Sequence, residues 1–258
     1  MKKVYFITFI ILLQILVQNF NNLFAQELYL GARAGLSIPS LQGGNSEQSK
    51  GYKSRLAPDL GLMTTMEFKN RLALQLDVSY IGQGGVKNGI QAIPPDKYPA
   101  PVPITLYADF KTVAILNYIE VPLLIKYYFT VQDLFKIYVD MGPNFGFLVE
   151  AKTKTSGSGQ IYADKNGTQL VDQNGNVLPP VNFSSTTDIK NDINSVNYGI
   201  TGGVGIVRDF GTGELILDGR ASYGLSTIQK DPDKNGNNHT GCLVITLGYA
   251  TKLWQGKK

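Results

Sequence analysis

Past its first 25 residues the chain repeatedly alternates apolar and polar side chains one by one, over stretches the length of a tilted membrane strand. It holds no apolar run near the ~20 residues that a membrane-crossing helix needs. Successive side chains of a strand point to opposite faces, so the alternation sorts each stretch into two rows. Leu28, Leu30, Ala32, Ala34, Leu36 and Ile38 form one row, and Tyr29, Gly31, Arg33, Gly35 and Ser37 the other. Leu60, Leu62, Thr64, Met66 and Phe68 alternate with Gly61, Met63, Thr65 and Glu67. A turn at Asn70-Arg71 then leads to Leu72, Leu74, Leu76, Val78 and Tyr80, set against Ala73, Gln75, Asp77 and Ser79. A fourth strand is expected from Val113 to Phe129, with Glu120, Pro122, Lys126 and Tyr128 on its polar face and Leu124 breaking that row. A fifth runs from Phe135 to Ala151, with Tyr138, Asp140, Gly142, Asn144, Gly146 and Glu150 on the polar face. Tyr198 to Phe210, Leu215 to Leu225 and Gly241 to Trp254 complete an even set of eight, the parity of bacterial single-chain barrels.

A soluble barrel shows the same period with its apolar row turned inward, so the period alone does not say which face meets lipid. The connections do. They are long at 39–56, 83–112, 152–196 and 226–240, and short at 69–71, 130–134 and 211–214, the pattern of long external loops and short periplasmic turns. With the strands laid up and down, aromatic residues of the apolar row gather at the two ends. Phe68, Phe129, Phe135 and Phe210 fall at the short-turn end, and Tyr80, Phe145, Phe147, Tyr198 and Tyr223 toward the other, as interfacial girdles require. The polar row mixes glycine with isolated charges of both signs, which suits a crowded lumen better than a solvated surface. The expected fold is therefore all-β: an eight-stranded antiparallel up-and-down transmembrane β-barrel, located in the cell outer membrane.

Lys2 and Lys3, an apolar run from Val4 to Val17, and a polar stretch ending at Leu23-Phe24-Ala25 read as a secretory signal. This divides the chain into a signal peptide at 1–25 and a barrel domain at 26–258. Without the two leader lysines the 24 basic residues become 22 against 20 acidic ones, a balance that does not point to nucleic acid. The single cysteine, Cys242, has no partner for an intrachain disulfide and reads as a small packed residue.

Enzyme signatures are sparse. His239 is the only histidine and falls in an expected loop, which gives little support to a Ser-His-Asp triad or a histidine-rich zinc site. Gly202-Gly203-Val204-Gly205 lies inside a strand with no helix after it, so it does not read as a phosphate loop. No catalytic residue, cofactor or cofactor-binding residue is expected, and the chain is not read as an enzyme. Asp231-Pro232-Asp233-Lys234-Asn235-Gly236 reproduces the first half of a calcium loop, with Asp231, Asp233 and Asn235 as candidate ligands. Its twelfth position is Cys242 rather than a bidentate Glu, and a plain turn is the preferred reading. Arg33, Glu67, Asp77, Glu120, Lys126, Asp140, Asp218 and Arg220 all fall on the polar row and are expected to form an ion and hydrogen-bond network in the lumen. Buried charges persist only when paired.

Several segments resemble the PorT-like, or outer-membrane β-barrel domain, family of small bacterial outer-membrane proteins. They are Tyr118-Ile119-Glu120-Val121-Pro122-Leu123-Leu124-Ile125-Lys126-Tyr127-Tyr128-Phe129, Gly142-Pro143-Asn144-Phe145-Gly146-Phe147-Leu148 and Leu217-Asp218-Gly219-Arg220-Ala221-Ser222-Tyr223-Gly224-Leu225. The resemblance implies an eight-stranded barrel whose namesake takes part in type nine protein secretion. Thr246 to Leu253 resembles the C-terminal signal read by the barrel-assembly machinery, with Thr251 departing from its apolar preference. The expected partners are outer-membrane lipid, the assembly machinery during biogenesis and a further envelope protein. The leading functional expectation is a structural or interaction component of the envelope that presents long extracellular loops, an accessory of secretion if the resemblance extends to role. A small porin and a lipid-modifying membrane enzyme are the alternatives.

Overall fold

The computed structural model describes residues 25–68, 71–93, 105–132 and 135–255. The leader expected at 1–25 lies outside them except for Ala25, as do Asn70 of the first turn and Pro94, Pro95, Pro99, Pro101 and Pro103. In chain order the elements are β1 (Ala25–Gly43), β2 (Ala57–Phe68), β3 (Leu72–Ala92), β4 (Tyr107–Gln132), β5 (Phe135–Ser156), β6 (Ser158–Gly159), β7 (Ile161–Tyr162), β8 (Val181–Asn182), β9 (Ser185–Asp188), β10 (Val196–Asp209), β11 (Gly213–Gly224), a one-turn helix α1 (Pro232–Asn235) and β12 (Asn238–Gln255).

Eight of these strands close a ring. β1 to β5 pair in sequence, β5 pairs with β10, β10 with β11, β11 with β12, and β12 returns to β1, every pairing antiparallel. The closing seam is long, running from Glu27 opposite Gln255 to Gly43 opposite Asn238. No described helix is long and apolar enough to cross a membrane, and the crossing is made by strands.

Burial is inverted relative to a soluble protein. Met141 is 70% exposed, Leu62 61% and Ile125 60%, whereas Gln75 and Asp77 are fully enclosed and Lys126 is 1% exposed. The apolar row therefore faces lipid and the polar row the lumen. The outward aromatic residues form the two girdles. Phe129, Phe210, Tyr127, Tyr249 and Trp254 are exposed at the short-turn end, and Tyr198, Tyr223, Phe145 and Phe147 at the other.

The wall is uneven in height. β2, β10 and β11 have 12, 14 and 12 residues, but β3, β4 and β5 have 21, 26 and 22. About ten residues cross the bilayer, so the surplus of β3 to β5 stands above it as a wing. This corrects the expected loops at 83–112 and 152–196: β3 continues to Ala92, β4 begins at Tyr107 and β5 ends at Ser156. Gly82, Gly84, Gly85 and Gly89 obscure the alternation there, yet the ladder holds from Ile81 opposite Tyr118 to Ala92 opposite Tyr107. Residues 157–195 return on the wing, β7 against β4 and β9 against β5. Ile93, Leu106, Ala108 and Phe110 form a small core there, with Ile161, Leu170 and Phe183 packed on it.

His239, expected in a loop, lies in β12 opposite Gln42. Its ring stacks on Tyr223 with centroids 6.0 Å apart, and Nδ1 is 3.1 Å from the Gly224 carbonyl oxygen. The turn formers of 231–238 hide how early the strand begins.

Candidate functional site

Two places gather polar side chains: the lumen and the long-loop end above it. The lumen is built in layers because inward residues of neighbouring strands meet at fixed heights. Nearest the short turns, Lys136 from β5 reaches Glu214 of β11 at 3.0 Å and Glu67 of β2 at 3.4 Å. At the seam Lys252 meets Glu27 at 2.8 Å. Above them Tyr29, Tyr128 and Tyr138 pack with Met63, Val207 and Ile216. Tyr128 and Tyr138 meet edge to face with centroids 5.7 Å apart.

The next layer is the centre of charge. Arg220 of β11 contacts Asp77 and Asp218 at 2.6 Å each and Asp140 at 3.2 Å. Arg33 of β1 approaches Asp59 at 3.4 Å, Asp77 at 3.7 Å and Asp218 at 3.9 Å. Gln75 donates to Asp77 at 2.6 Å and Thr65 to Gln75 at 3.2 Å, which extends the cluster along β3 and β2. All four aspartates are almost wholly enclosed, and guanidinium groups are the cations best shaped to bridge several carboxylates.

Of the expected network, Arg33, Asp77, Asp140, Asp218 and Arg220 come together. Glu67 does not reach either arginine and belongs to the Lys136 layer, because it lies near the bottom of β2, opposite Ala73. Lys126 makes no ion pair within 4 Å among the described residues; its ammonium sits 3.7 Å over the Tyr138 ring, and Asp140 faces it across the ladder. Glu120 sits one layer higher and accepts from Gln83 at 2.9 Å. Leu124, the apparent break in the polar row, points into the lumen and is fully buried. Sequence reasoning missed Asp59, which stands behind Pro58 before the first clear alternation, Lys136, the second residue of the expected fifth strand, and Glu214, which falls in the expected turn at 211–214.

Above Glu120 the lumen turns apolar. Leu41, Ile81, Leu116, Tyr118, Cys242 and Val244 pack with Ile193 and Ile228, which descend from the loops before β10 and β12. Those loops are tied to each other and to the loop after β1. Asn194 Nδ2 donates to the Thr227 and Gln229 carbonyls at 2.9 and 3.0 Å, and Asn238 Nδ2 to the Ser49 carbonyl at 3.0 Å. Cys242 is thus the small packed residue expected of it.

At the wing tip, Asp164 accepts from the backbone of Asn166 and the hydroxyl of Thr168, and Asp172 from the backbones of Asn174 and Asn176. The Thr168 hydroxyl holds the Asp164 carboxyl below its ordinary range, and the Asn176 amide does the same for Asp172. The calcium-like segment forms α1, where the Asp231 side chain caps Lys234 N at 3.2 Å. No group of three or more His, Cys, Asp or Glu side chains among the described residues is arranged to hold a metal ion.

The arrangement holds charge in the middle of the lumen and sets an apolar cluster above it toward the mouth. Comparison with known proteins bears on the wall rather than on any chemistry. The family described as outer membrane protein beta-barrel domain matches residues 24–230. No curated protein matches the sequence. Among solved structures, Neisserial surface protein A is 13% identical, with 88% of this chain and 97% of that one covered at a TM-score of 0.39. OprG of Pseudomonas aeruginosa is 13% identical, covering 90% and 98% at 0.38. The outer membrane protease OmpT of Escherichia coli is 9% identical, covering 88% and 97% at 0.39. At these scores no role is carried over from any of them.

Proposed function

Because the chain belongs to the outer membrane protein beta-barrel domain family, an outer-membrane setting is the premise from which we propose that it is a closed, non-enzymatic interaction component of the cell envelope. In this reading the long-loop end faces outward and carries the function. The observation that supports it most is the contrast between the two ends of the polar column. The lumen carries stacked polar layers with an apolar cluster that includes Ile193 and Ile228 above them, while β3 to β5 continue beyond the apolar belt into an ordered wing.

A porin needs an open path, and eight strands enclose space for little more than side chains. A lipid-modifying enzyme needs a reactive constellation at the membrane face, and nothing in the layers favours one. A role as an accessory of protein secretion rests on the resemblance of 118–129, 142–148 and 217–225 to PorT-like proteins. The partner in this reading is another envelope protein, met through the wing.

Planar-bilayer recording of the purified protein tests the closed lumen: the expected result is no steady channel, and reproducible open-channel current would sink it. Epitope tags test the orientation. A tag beside Asn174 should bind antibody on intact cells and one at Thr212 should not, and the reverse result would invert the assignment. Extraction in mild detergent should retain a protein partner that is lost when residues 160–180 are replaced by a short linker.

A further inference from the structure

Around the rim, the outer wall is not chemically uniform. Where β1, β10 and β12 leave the apolar belt, their outward residues are Ser40 and Gln42, Val196, and Gly241 and His239, none of them lysine or arginine. On the tall side the outward row continues above Ile119 and Phe147 in register: Asn117 opposite Glu150, Ile115 opposite Lys152, Val113 opposite Lys154, and Lys111 opposite Ser156. β9 sets Asp188 against Lys152 and Thr186 against Lys154. Lys190, just beyond β9, donates from Nζ to the Val149 carbonyl at 2.7 Å, which fixes an ammonium at the upper edge of the girdle.

Four lysines thus share one outward face above the aromatic residues, with Lys190 at the edge of the girdle, Lys152 and Lys154 higher, and Lys111 eight residues up β4 from Ile119. Lys152 is paired with Glu150 at 2.6 Å. Lys111, Lys154 and Lys190 have no ion-pair partner within 4 Å among the described residues. The acids of this face are Glu150, Asp188 and Asp109, and the two nearest the girdle are engaged: Glu150 by Lys152, and Asp188 by the backbone N–H of Lys190 at 2.8 Å. The cross-strand neighbours of Lys152 and Lys154 are Ile115 and Val113, which suits lysine stems that lie on apolar surface while their heads reach water. Cations at the boundary between acyl chains and head groups attract anionic lipid.

We infer that this face of β4, β5 and β9 binds the phosphate groups of an outer-leaflet lipid, with Lys111, Lys154 and Lys190 supplying the charge. Lys152, turned to Glu150, shapes the site rather than filling it. The inference rests on the reading that places the long-loop end outside the cell. It gives the wing a lipid on its outward face and leaves its tip free for protein.

The test uses the full protein in lauryl maltoside, titrated with diphosphoryl lipid A and with lipid A stripped of both phosphates. The phosphorylated form should bind at least tenfold more tightly. Replacing Lys111, Lys154 and Lys190 by Gln should weaken binding roughly fivefold per lysine, about a hundredfold together. Replacing all three by Arg should preserve it, and Gln at Lys50, Lys165 and Lys234 should leave it unchanged. Equal affinity for the two lipids, or an unaltered triple Gln protein, would overturn the site. The two-lipid comparison needs no variant, so a triple variant that does not fold leaves the question answerable. Binding in micelles does not depend on orientation, so inverted tag accessibility with phosphate-dependent binding intact would count against the outward reading alone.

Discussion

β4 and β10 face the same lumen with opposite inventories. The inward row of β4 carries Leu116, Tyr118, Glu120, Leu124, Lys126 and Tyr128, and that of β10 carries Asn197, Gly199, Thr201, Gly203, Gly205 and Val207. The glycines leave the space that large neighbours fill. A Cβ on Gly205 would stand 2.3 Å from the Tyr138 hydroxyl, and one on Gly203 would stand 2.6 Å from Cγ of Arg220. Strand number fixes the cross-section of a small barrel, so bulk supplied by one strand requires absence in another. The same two strands differ above the membrane: β4 has 26 residues and β10 has 14. The strand that fills the lumen also builds the wing, and the one that yields space stops at the rim.

This contrast can be broken experimentally. The largest effect is expected on the short side, where Arg220 holds three carboxylates. Arg220→Ala should lower stability by about 3 to 5 kcal/mol, because it strands enclosed charges, as read by urea unfolding in liposomes. An unchanged transition would show that the cluster does not hold the barrel together.

In the wing the effect should stay local. Phe110 stacks on Phe183 with centroids 4.9 Å apart, and Phe110→Ala should remove about 3 kcal/mol from the wing. Hydrogen exchange should accelerate in 107–112 and 181–188 while the barrel transition stays in place. A parallel fall of both would mean that wing and barrel unfold as one unit.

Gly205→Ala should cost about 2 kcal/mol by forcing Tyr138 aside. Its outward neighbour Gly202, where a Cβ would find its nearest atom at 3.4 Å, should accept Ala with little change. Equal costs would show that lumen crowding is not what selects glycine in β10.

The smallest effect concerns the wing tip. Asp164 and Asp172 are held below the ordinary carboxylate range, so their stabilising contribution is complete above about pH 4, the unfolded range, and is lost as pH falls through the lower folded values. Carboxyl carbon NMR should place both midpoints below that of an ordinary aspartate. Ordinary midpoints would mean the turns are open in solution.

The membrane-level fold was legible because lipid outside and a packed polar lumen inside force strict alternation on every crossing strand. Above the belt that force is absent. At Gly82 to Gly89 the sequence looks like loop, and only pairing with β4 and the small core around Phe110 make it strand. The arginines and three of their aspartates were legible as polar-row charges. Their partners were not, since alternation assigns a face and says little about height: Glu67 sits too low, Glu120 too high, and Asp59 lay hidden behind Pro58. His239 was misplaced because turn-forming neighbours outweighed a strand whose support comes from β1, almost two hundred residues away in the chain.

The seam between β1 and β12 places Glu27 beside Gln255 at the short-turn end. A short tether between them would therefore join the two ends without crossing the mouth, and the chain could instead be opened at the exposed Asn174-Gly175 tip, where no barrel ladder is cut. Such a circular permutant keeps every neighbour around the wall while making β10 the first barrel strand synthesised. The arrangement of the wall is thus separable from the order in which its strands emerge.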